Sequence, residues 1–333
     1  MLKEKLARIA AVLGALAVLA ALVVAFGLAM VPRAQEKPGN YIAYSLEGLD
    51  KVSEDEILYR EAAPVKVPAA PDAALTGVCL LPGGGFAVSG GAAVFVYDAG
   101  RALARTIAAS GPVLALAAGA GRIYLGMSDH VEVWSADGRP LDEWASLGEK
   151  ALVASLAAAK DAVYVADAGD KNVAQYDPGG RLVRFISLKN SDGSGFLVPG
   201  VCFDVAVDAS GSLWAVDPGR RRVLKISPAG EILAAWGKTS TALDGFSGCC
   251  NPVNIALFPD GSFVAQEKGL LRIKLYDRNG AFLGVVAGPT SFDASLSSLD
   301  LAAGADGTVY AVDDHLKSVR IFVKKGEGDR EPR

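Results

Sequence analysis

One short apolar pattern recurs six times between about residues 75 and 323 of this 333-residue chain, and it restricts the fold more than any other feature. The copies are GGGFAV (83–88), AGRIYL (120–125), KDAVYVAD (160–167), SGSLWAVD (210–217), DGSFVAQE (260–267) and DGTVYAVD (306–313). Their shared apolar position falls at Phe86, Ile123, Val163, Leu213, Phe263 and Val309, spaced by 37, 40, 50, 50 and 46 residues. A second apolar marker follows 11 residues later in the first two copies (Tyr97, Trp134). In the last four it follows 13 later (Tyr176, Ile226, Tyr276, Phe322). Small turns such as SADG, DPGG, SPAG and DRNG come next, then another apolar run.

Each unit therefore predicts four short strands joined by Gly, Asp and Asn turns. A single four-stranded sheet of ~40 residues cannot bury both of its faces, so such sheets stack radially. The expected fold is all-β, a six-bladed propeller over residues 75–323. No 10–15-residue amphipathic helix separates the strands, which argues against an α/β arrangement. The last copy supplies only three strands before the polar tail at 324–333, so ring closure needs a fourth from elsewhere. The stretch from ILYRE to VKV (57–67) is the unassigned candidate, and its addition would remove an exposed sheet edge.

Composition matters here for what it excludes. With 51% hydrophobic and 21% charged residues, the chain is not a disordered polymer. The formal net charge is −4 overall and +3 over the first 37 residues, leaving −7 on the remainder. Such an anionic body lacks the basic stripe that nucleic acid requires, and general electrostatics will not hold it to an anionic membrane surface. Two histidines and three methionines leave little for His-rich metal chemistry or haem.

Ile9 to Val31 is a run of 23 residues without one charge. As a helix it would measure ~34 Å, enough for a hydrocarbon core of ~30 Å. A cleavable signal peptide has an apolar region of only ~7–15 residues, and no A-x-A site closes this one. Residues 1–37 thus read as a cytoplasmic stub and a retained transmembrane signal anchor. Lys3, Lys5 and Arg8 before the span outnumber Arg33 and Lys37 after it, which places the propeller outside the cytoplasm, in the periplasm if the host is a bacterium. Residues 38–74, punctuated by Pro38, Pro64, Pro68 and Pro71, read as a tether that includes the closing strand.

The strings YVADAGDKNVAQYDPGGRLV (164–183) and LWAVDPGRRRVLKISPAGEILAAWG (213–237) resemble NHL repeats: strand, Asp, polar turn, basic residue, strand, Asp-Gly, strand. The resemblance extends over all six copies. It is weakest in the first two, which lack Asp at the positions of Gly90 and Met127 and have a shorter second turn. FSGCCNPVNIALFPDGSF (246–263) is similar to a segment of membrane-anchored bacterial propellers of this type. The resemblance implies a propeller with a habit of binding a protein or small-molecule partner, and no single reaction.

Three polar residues stand nine positions before their marker: Asp204, Asn254 and Asp300; the corresponding residues of the first three copies are Gly77, Leu114 and Ala154. A half-ring of oxygens at a channel mouth suits a hard cation such as Ca²⁺ or Mg²⁺, and gluconolactonase-like propellers hold their catalytic metal in a similar way. The competing expectation is that these side chains pin backbone N–H groups. No Glu occupies the first-copy position where the lactonase relatives would supply one. A second aligned set, Asp167, Asp217, Glu267 and Asp313, is expected to organise the turn that follows it. Arg220, Arg221 and Arg222 after Asp217 could meet an anionic ligand or simply neutralise their own loop.

The cysteines carry the remaining chemistry. Cys249 and Cys250 are adjacent, flanked by Gly248 and Asn251-Pro252, and Cys202 stands one repeat away; Cys79 aligns with a mid-strand core position. A structural disulfide or buried thiols, a metal or cluster site, and redox chemistry are all compatible with that spacing. No C-x-x-C occurs, SDGSG (191–195) lacks the strand-turn-helix of a nucleophile elbow, and no phosphate-cradling GxxxxGK[ST] is present. Function is therefore expected at a loop face bearing Asp204, Asn254, Asp300, Arg220, Arg221, Cys249, Cys250 and Asn251, as a protein- or ligand-binding module rather than an enzyme. The alternative is a metal-dependent lactonase or hydrolase using Asp204, Asn254 and Asp300.

Overall fold

In the computed structural model, which describes residues 51–326 together with Gly48, the two apolar markers of every repeat face one another across adjacent antiparallel strands. The opposed pairs are Phe86–Tyr97, Ile123–Trp134, Val163–Tyr176, Leu213–Ile226, Phe263–Tyr276 and Val309–Phe322. The shorter spacing in the first two repeats has two different causes. Repeat one turns from Gly90 to Ala93 across two residues, whereas the later repeats use four, as from Asp167 to Asn172. Repeat two keeps the four-residue loop, from Gly126 to Val131, but places it one residue pair closer to the marker pair. The shorter second turn expected of both repeats thus belongs to the first alone.

Six four-stranded sheets result. Their inner strands are Leu75–Leu80, Ala115–Gly119, Val153–Ala158, Val205–Val207, Asn254–Leu257 and Leu301–Ala303. Neighbouring inner strands touch in a complete circuit, so the sheets form a six-bladed propeller around one axis. In five blades the strands follow chain order from the axis outward. In the sixth, the outermost strand is Tyr59–Lys66, paired antiparallel with Ser318–Lys324 from the far end of the chain. Arg320 donates to both carboxylate oxygens of Glu61 across this pair, at 2.8 and 2.5 Å.

The apolar cores lie between blades. Val88, Phe86 and Tyr97 of blade one pack with Val312, Val319 and Ile321 of blade six, and equivalent clusters fill the other seams. Trp144 stacks on Tyr176 of the next blade at 4.5 Å, and Trp236 lies 4.8 Å from Tyr276 of its own next blade. These indoles explain two turn glycines. A Cβ on Gly180 (φ 86°) would lie 2.3 Å from Trp144 Nε1, and one on Gly280 (φ 81°) 2.3 Å from Trp236 Cβ.

Among the described residues, no helix is long and apolar enough to cross a membrane. The expected anchor at 9–31 and the end of the polar tail, 327–333, lie outside the described residues.

Removal of the closing strand gives a direct test. A fragment of residues 38–333 should unfold as one cooperative ring, while 70–333 loses Tyr59, buried in the seam between blades five and six. We expect the shorter fragment to be less stable by at least ~3 kcal/mol, the cost of deleting one buried aromatic. Denaturant midpoints compare the two, and equal midpoints would show that the closing strand is dispensable.

Candidate functional site

The six inner strands enclose a central cavity of about 550 Å³. Its wall is mostly aliphatic, contributed by residues such as Val78, Leu116, Leu156, Val205, Ile255 and Leu301. Asp204, Asn254 and Asp300 all open on it, at the starts of three consecutive inner strands. Burial without partners would be costly for these groups, and each has found one on an adjacent blade. Asp204 accepts from Ser155 Oγ of blade three at 2.5 Å and from the Ile255 N–H of blade five at 2.6 Å. Asn254 Nδ2 donates to the Leu299 carbonyl of the lead-in to blade six at 2.5 Å. Asp300 accepts from the Val78 N–H of blade one at 2.7 Å. Thr76 extends the series by donating to the Val113 carbonyl ahead of blade two at 2.6 Å.

Ser155 and Thr76 escaped the sequence alignment for identifiable reasons. In blades two and three, the turn from the inner to the second strand is one residue shorter: Ala118 pairs with Ile123 and Ala158 with Val163, against Val207 with Leu213. The residues level with Asp204 are therefore Ala115 and Ser155, in place of Leu114 and Ala154. In blade one the level residue is Gly77, as aligned, but a Cβ there would lie 3.2 Å from both Leu116 N and Ser89 Oγ. Blade one has little room for a side chain at that height, and the polar contact comes from Thr76 instead.

The carboxylates also feel their surroundings electrostatically. Desolvation pushes Asp204 up to about 6, against the pull of its hydrogen bonds from Ser155, Ile255 and Val205. Desolvation, with the negative charge of Asp204 added, pushes Asp300 up to about 8. A carboxyl kept protonated near neutrality can donate a hydrogen bond into the cavity, which an ionised one cannot.

The second aligned set braces the rim. Asp167 accepts from Gly169 N and Asp170 N within its own turn, and also from Leu152 N at 2.9 Å, in the lead-in to the same blade. Asp217 holds Leu197 N and Glu267 holds Ser247 N in the same manner, both at 2.8 Å. Asp313 accepts from Leu316 N at 2.9 Å. Arg220 donates to Asp217 and to the Gly195 carbonyl, each at 3.0 Å, and Arg221 Nε to the Gly248 carbonyl at 2.6 Å. The two arginines thus buttress the long loops that lead into blades four and five.

Cys249, Cys250 and Asn251 sit on the second of these loops. Cys249 is exposed and Cys250 buried, with their sulfurs 3.1 Å apart. Asn251 is buried and acts as the loop's internal strut. Its Nδ2 donates to the carbonyls of Ser247 (2.7 Å) and Lys268 (3.1 Å), while its Oδ1 accepts from Lys268 N (2.8 Å). Lys268, which sequence inspection passed over, directs Nζ to Cys202 Sγ at 3.3 Å, and Cys202 itself lines the central cavity. Cys79 is buried in the seam between blades one and two.

No protein-family model and no curated protein sequence matches this chain. Solved structures do match its fold. A structural genomics protein of unknown function from Bacteroides thetaiotaomicron superposes with a TM-score of 0.58 at 14% identity, over 79% of this chain and 72% of that one. A streptogramin B lyase structure gives 0.58 at 10% identity, over 82% of this chain and 100% of the lyase. The WD40 propeller domain of Doa1 gives 0.53 at 16%, over 75% and 79% respectively. At these identities the likeness is one of fold alone, and that fold is the β-propeller.

The raised Asp300 value sets the sign of a pH effect. Below about pH 4 its carboxyl is protonated whether the chain is folded or unfolded. Between there and its folded value of about 8, unfolding releases the proton, so stability falls as pH rises. Asp300→Asn keeps an acceptor for Val78 N–H and has no proton to lose. Its advantage over the unaltered protein should grow by at least ~1 kcal/mol, roughly 2–4 °C in Tm, from pH 5 to pH 8. Thermal melts at the two pH values measure it, and a difference that stays constant would contradict the assignment.

Proposed function

We propose that this protein is an NHL-type propeller, tethered to the membrane by residues 9–31 and exposed outside the cytoplasm, that binds a protein or small ligand at its channel mouth. The observation that carries this reading is the convergence of Asp204, Asn254 and Asp300 on one aliphatic cavity of about 550 Å³. A concave apolar pocket with a few converging polar groups is the usual form of a ligand site. Braced loops around its mouth supply the rigid surface on which recognition depends. The repeat pattern of the sequence supports the NHL assignment, and the uncharged segment with its basic N-terminal flank supports the tether.

A second reading, a metal-dependent lactonase or hydrolase, draws on the proximity of Asp204 to Asp300, whose mutual repulsion a divalent cation would relieve. It is the weaker of the two. The carboxylate oxygens already accept backbone N–H groups, and among the described residues no three His, Cys, Asp or Glu side chains are grouped to hold a metal. Titration with Ca²⁺ or Mg²⁺ separates the readings. The binding-module reading expects no rise in Tm, whereas a saturable rise lost in Asp300→Ala would favour the metal site.

The tether and orientation are testable through Cys249, which is exposed at the rim. In intact cells first treated with a membrane-impermeant reductant, so that Cys249 is a free thiol whatever its resting state, a membrane-impermeant maleimide should label the full-length chain and should fail to label Cys249→Ser to the same extent. The labelled protein should remain with the membrane after alkaline carbonate extraction. Labelling only after lysis would place the propeller on the cytoplasmic side.

A further inference from the structure

The Cys249–Cys250 pair has a geometry that partner binding does not require. We propose that these two adjacent residues form a reversible dithiol–disulfide couple at the propeller rim, which exchanges with a disulfide on a small thiol or a partner protein.

The two sulfurs differ in the way such exchange demands. Cys249 is exposed and reachable by an incoming disulfide, while Cys250 is buried directly behind it with the sulfurs 3.1 Å apart. The attacking species is a thiolate, and nearby cations and hydrogen bonds favour that form. The hydrogen bond with Cys250, to which the charges of Lys268 and Arg221 add, lowers the Cys249 thiol below its usual range. Burial raises Cys250, keeping it protonated until it is needed. Lys268 also contacts Cys202, so one ammonium serves a group of sulfurs at the cavity edge.

Adjacency makes the couple reversible. Consecutive Cα atoms lie about 3.8 Å apart, short of the 4.4–6.8 Å usual for a disulfide. A bond between neighbours is therefore readily reduced, which suits exchange and does not suit a permanent staple.

The exchange balances as follows. The Cys249 thiolate attacks one sulfur of a disulfide R–S–S–R′, forming a Cys249–S–R bond and expelling R′–S⁻, which takes a proton from water. The Cys250 sulfur then attacks Cys249 Sγ, its proton passing to the departing R–S⁻. The protein loses two electrons and the thiol proton of Cys250, and the former disulfide leaves as two thiols. The oxidant is the disulfide itself. In the reverse direction the oxidised rim accepts electrons from a dithiol.

The test uses the full-length protein equilibrated in glutathione buffers of graded oxidation, quenched in acid, alkylated and digested. In oxidising buffer the peptide Thr239–Lys268 should be lighter by two hydrogens with both cysteines unalkylated, and in reducing buffer it should carry two alkyl groups. Cys250→Ser removes the resolving sulfur, so glutathione should remain on Cys249 at least tenfold more than in the unaltered chain. Lys268→Gln tests the positioning ammonium: the pH of half-maximal Cys249 alkylation should rise, a shift that a purely structural lysine would not produce. The wild-type titration needs no variant, and thermal melts confirm that the variants are folded. Full alkylation of both cysteines in every buffer would overturn the proposal. So would a bond between Cys249 and Cys202 in place of the vicinal one, or protection from alkylation that appears only with added zinc and without loss of hydrogen.

Discussion

A four-stranded blade has two apolar faces and no means of covering either alone, so the structure depends on every blade having a neighbour on both sides. Six blades satisfy that condition only if the sixth meets the first. The seam between them joins residues more than 200 positions apart and is correspondingly well fastened. Tyr59–Lys66 completes the sixth sheet, Asp300 takes Val78 N–H, and Asp314 takes Leu75 N–H at 2.7 Å. Lys317 donates across the junction to the Ala73 carbonyl, and Lys66 ties the closing strand to the Leu316 carbonyl within the sixth blade. Closure of such a long loop carries an entropic cost that grows only slowly with length, and these hydrogen bonds across the chain ends offset part of it.

The same need for neighbours explains the polar groups in an aliphatic channel. Each inner strand has a sheet partner on one side only, so backbone N–H groups such as those of Val78 and Ile255 face the cavity without one. Asp204 and Asp300 answer those N–H groups on the adjacent blade, so each carboxylate acts as a clasp between sheets. The clasps run from blade three through four, five, six and one to blade two. A ligand entering the channel would compete with them or add to them. Asp300, whose carboxyl burial and the charge of Asp204 push up to about 8, is the member that has a hydrogen to offer when protonated.

Much of this was legible in the sequence because it is periodic. The marker pairs are register contacts within one hairpin, and hairpin register shows directly as residue spacing. The number of blades followed from counting those pairs. What periodicity could not show was a one-residue change in turn length, which moved the aligned position from Ala154 to Ser155 and from Leu114 to Ala115. Nor could it show contacts between blades. Lys268 is an unremarkable lysine after Glu267 until the fold brings Cys202, 66 residues earlier, against its ammonium. That Arg220 neutralises its own loop through Asp217 was one of the two readings the sequence offered, whereas the further contacts of Arg220 and Arg221 with the Gly195 and Gly248 carbonyls were not legible there. Such placements depend on the angle between sheets, which no local pattern encodes.

The cysteine loop shows how the rim and the ring serve one another. An exposed thiol on a slack loop would react with anything in reach, and its reactivity would be set by solvent. Here the loop is held on three sides. Asn251 ties it internally, Arg221 grips the Gly248 carbonyl, and Glu267 holds Ser247 N while its other oxygen lies 2.7 and 2.9 Å from the fully buried Arg272 and Lys274. Breaking a buried ion group of that kind costs ~3–5 kcal/mol, so the anchor is tied to the stability of blade five itself. The loop segment that carries Cys249 and Cys250 is therefore anchored by the same contacts that hold the blade together. A site positioned this way keeps its geometry as long as the ring stays closed, and the closing strand at Tyr59–Lys66 thereby supports chemistry at a loop it never touches.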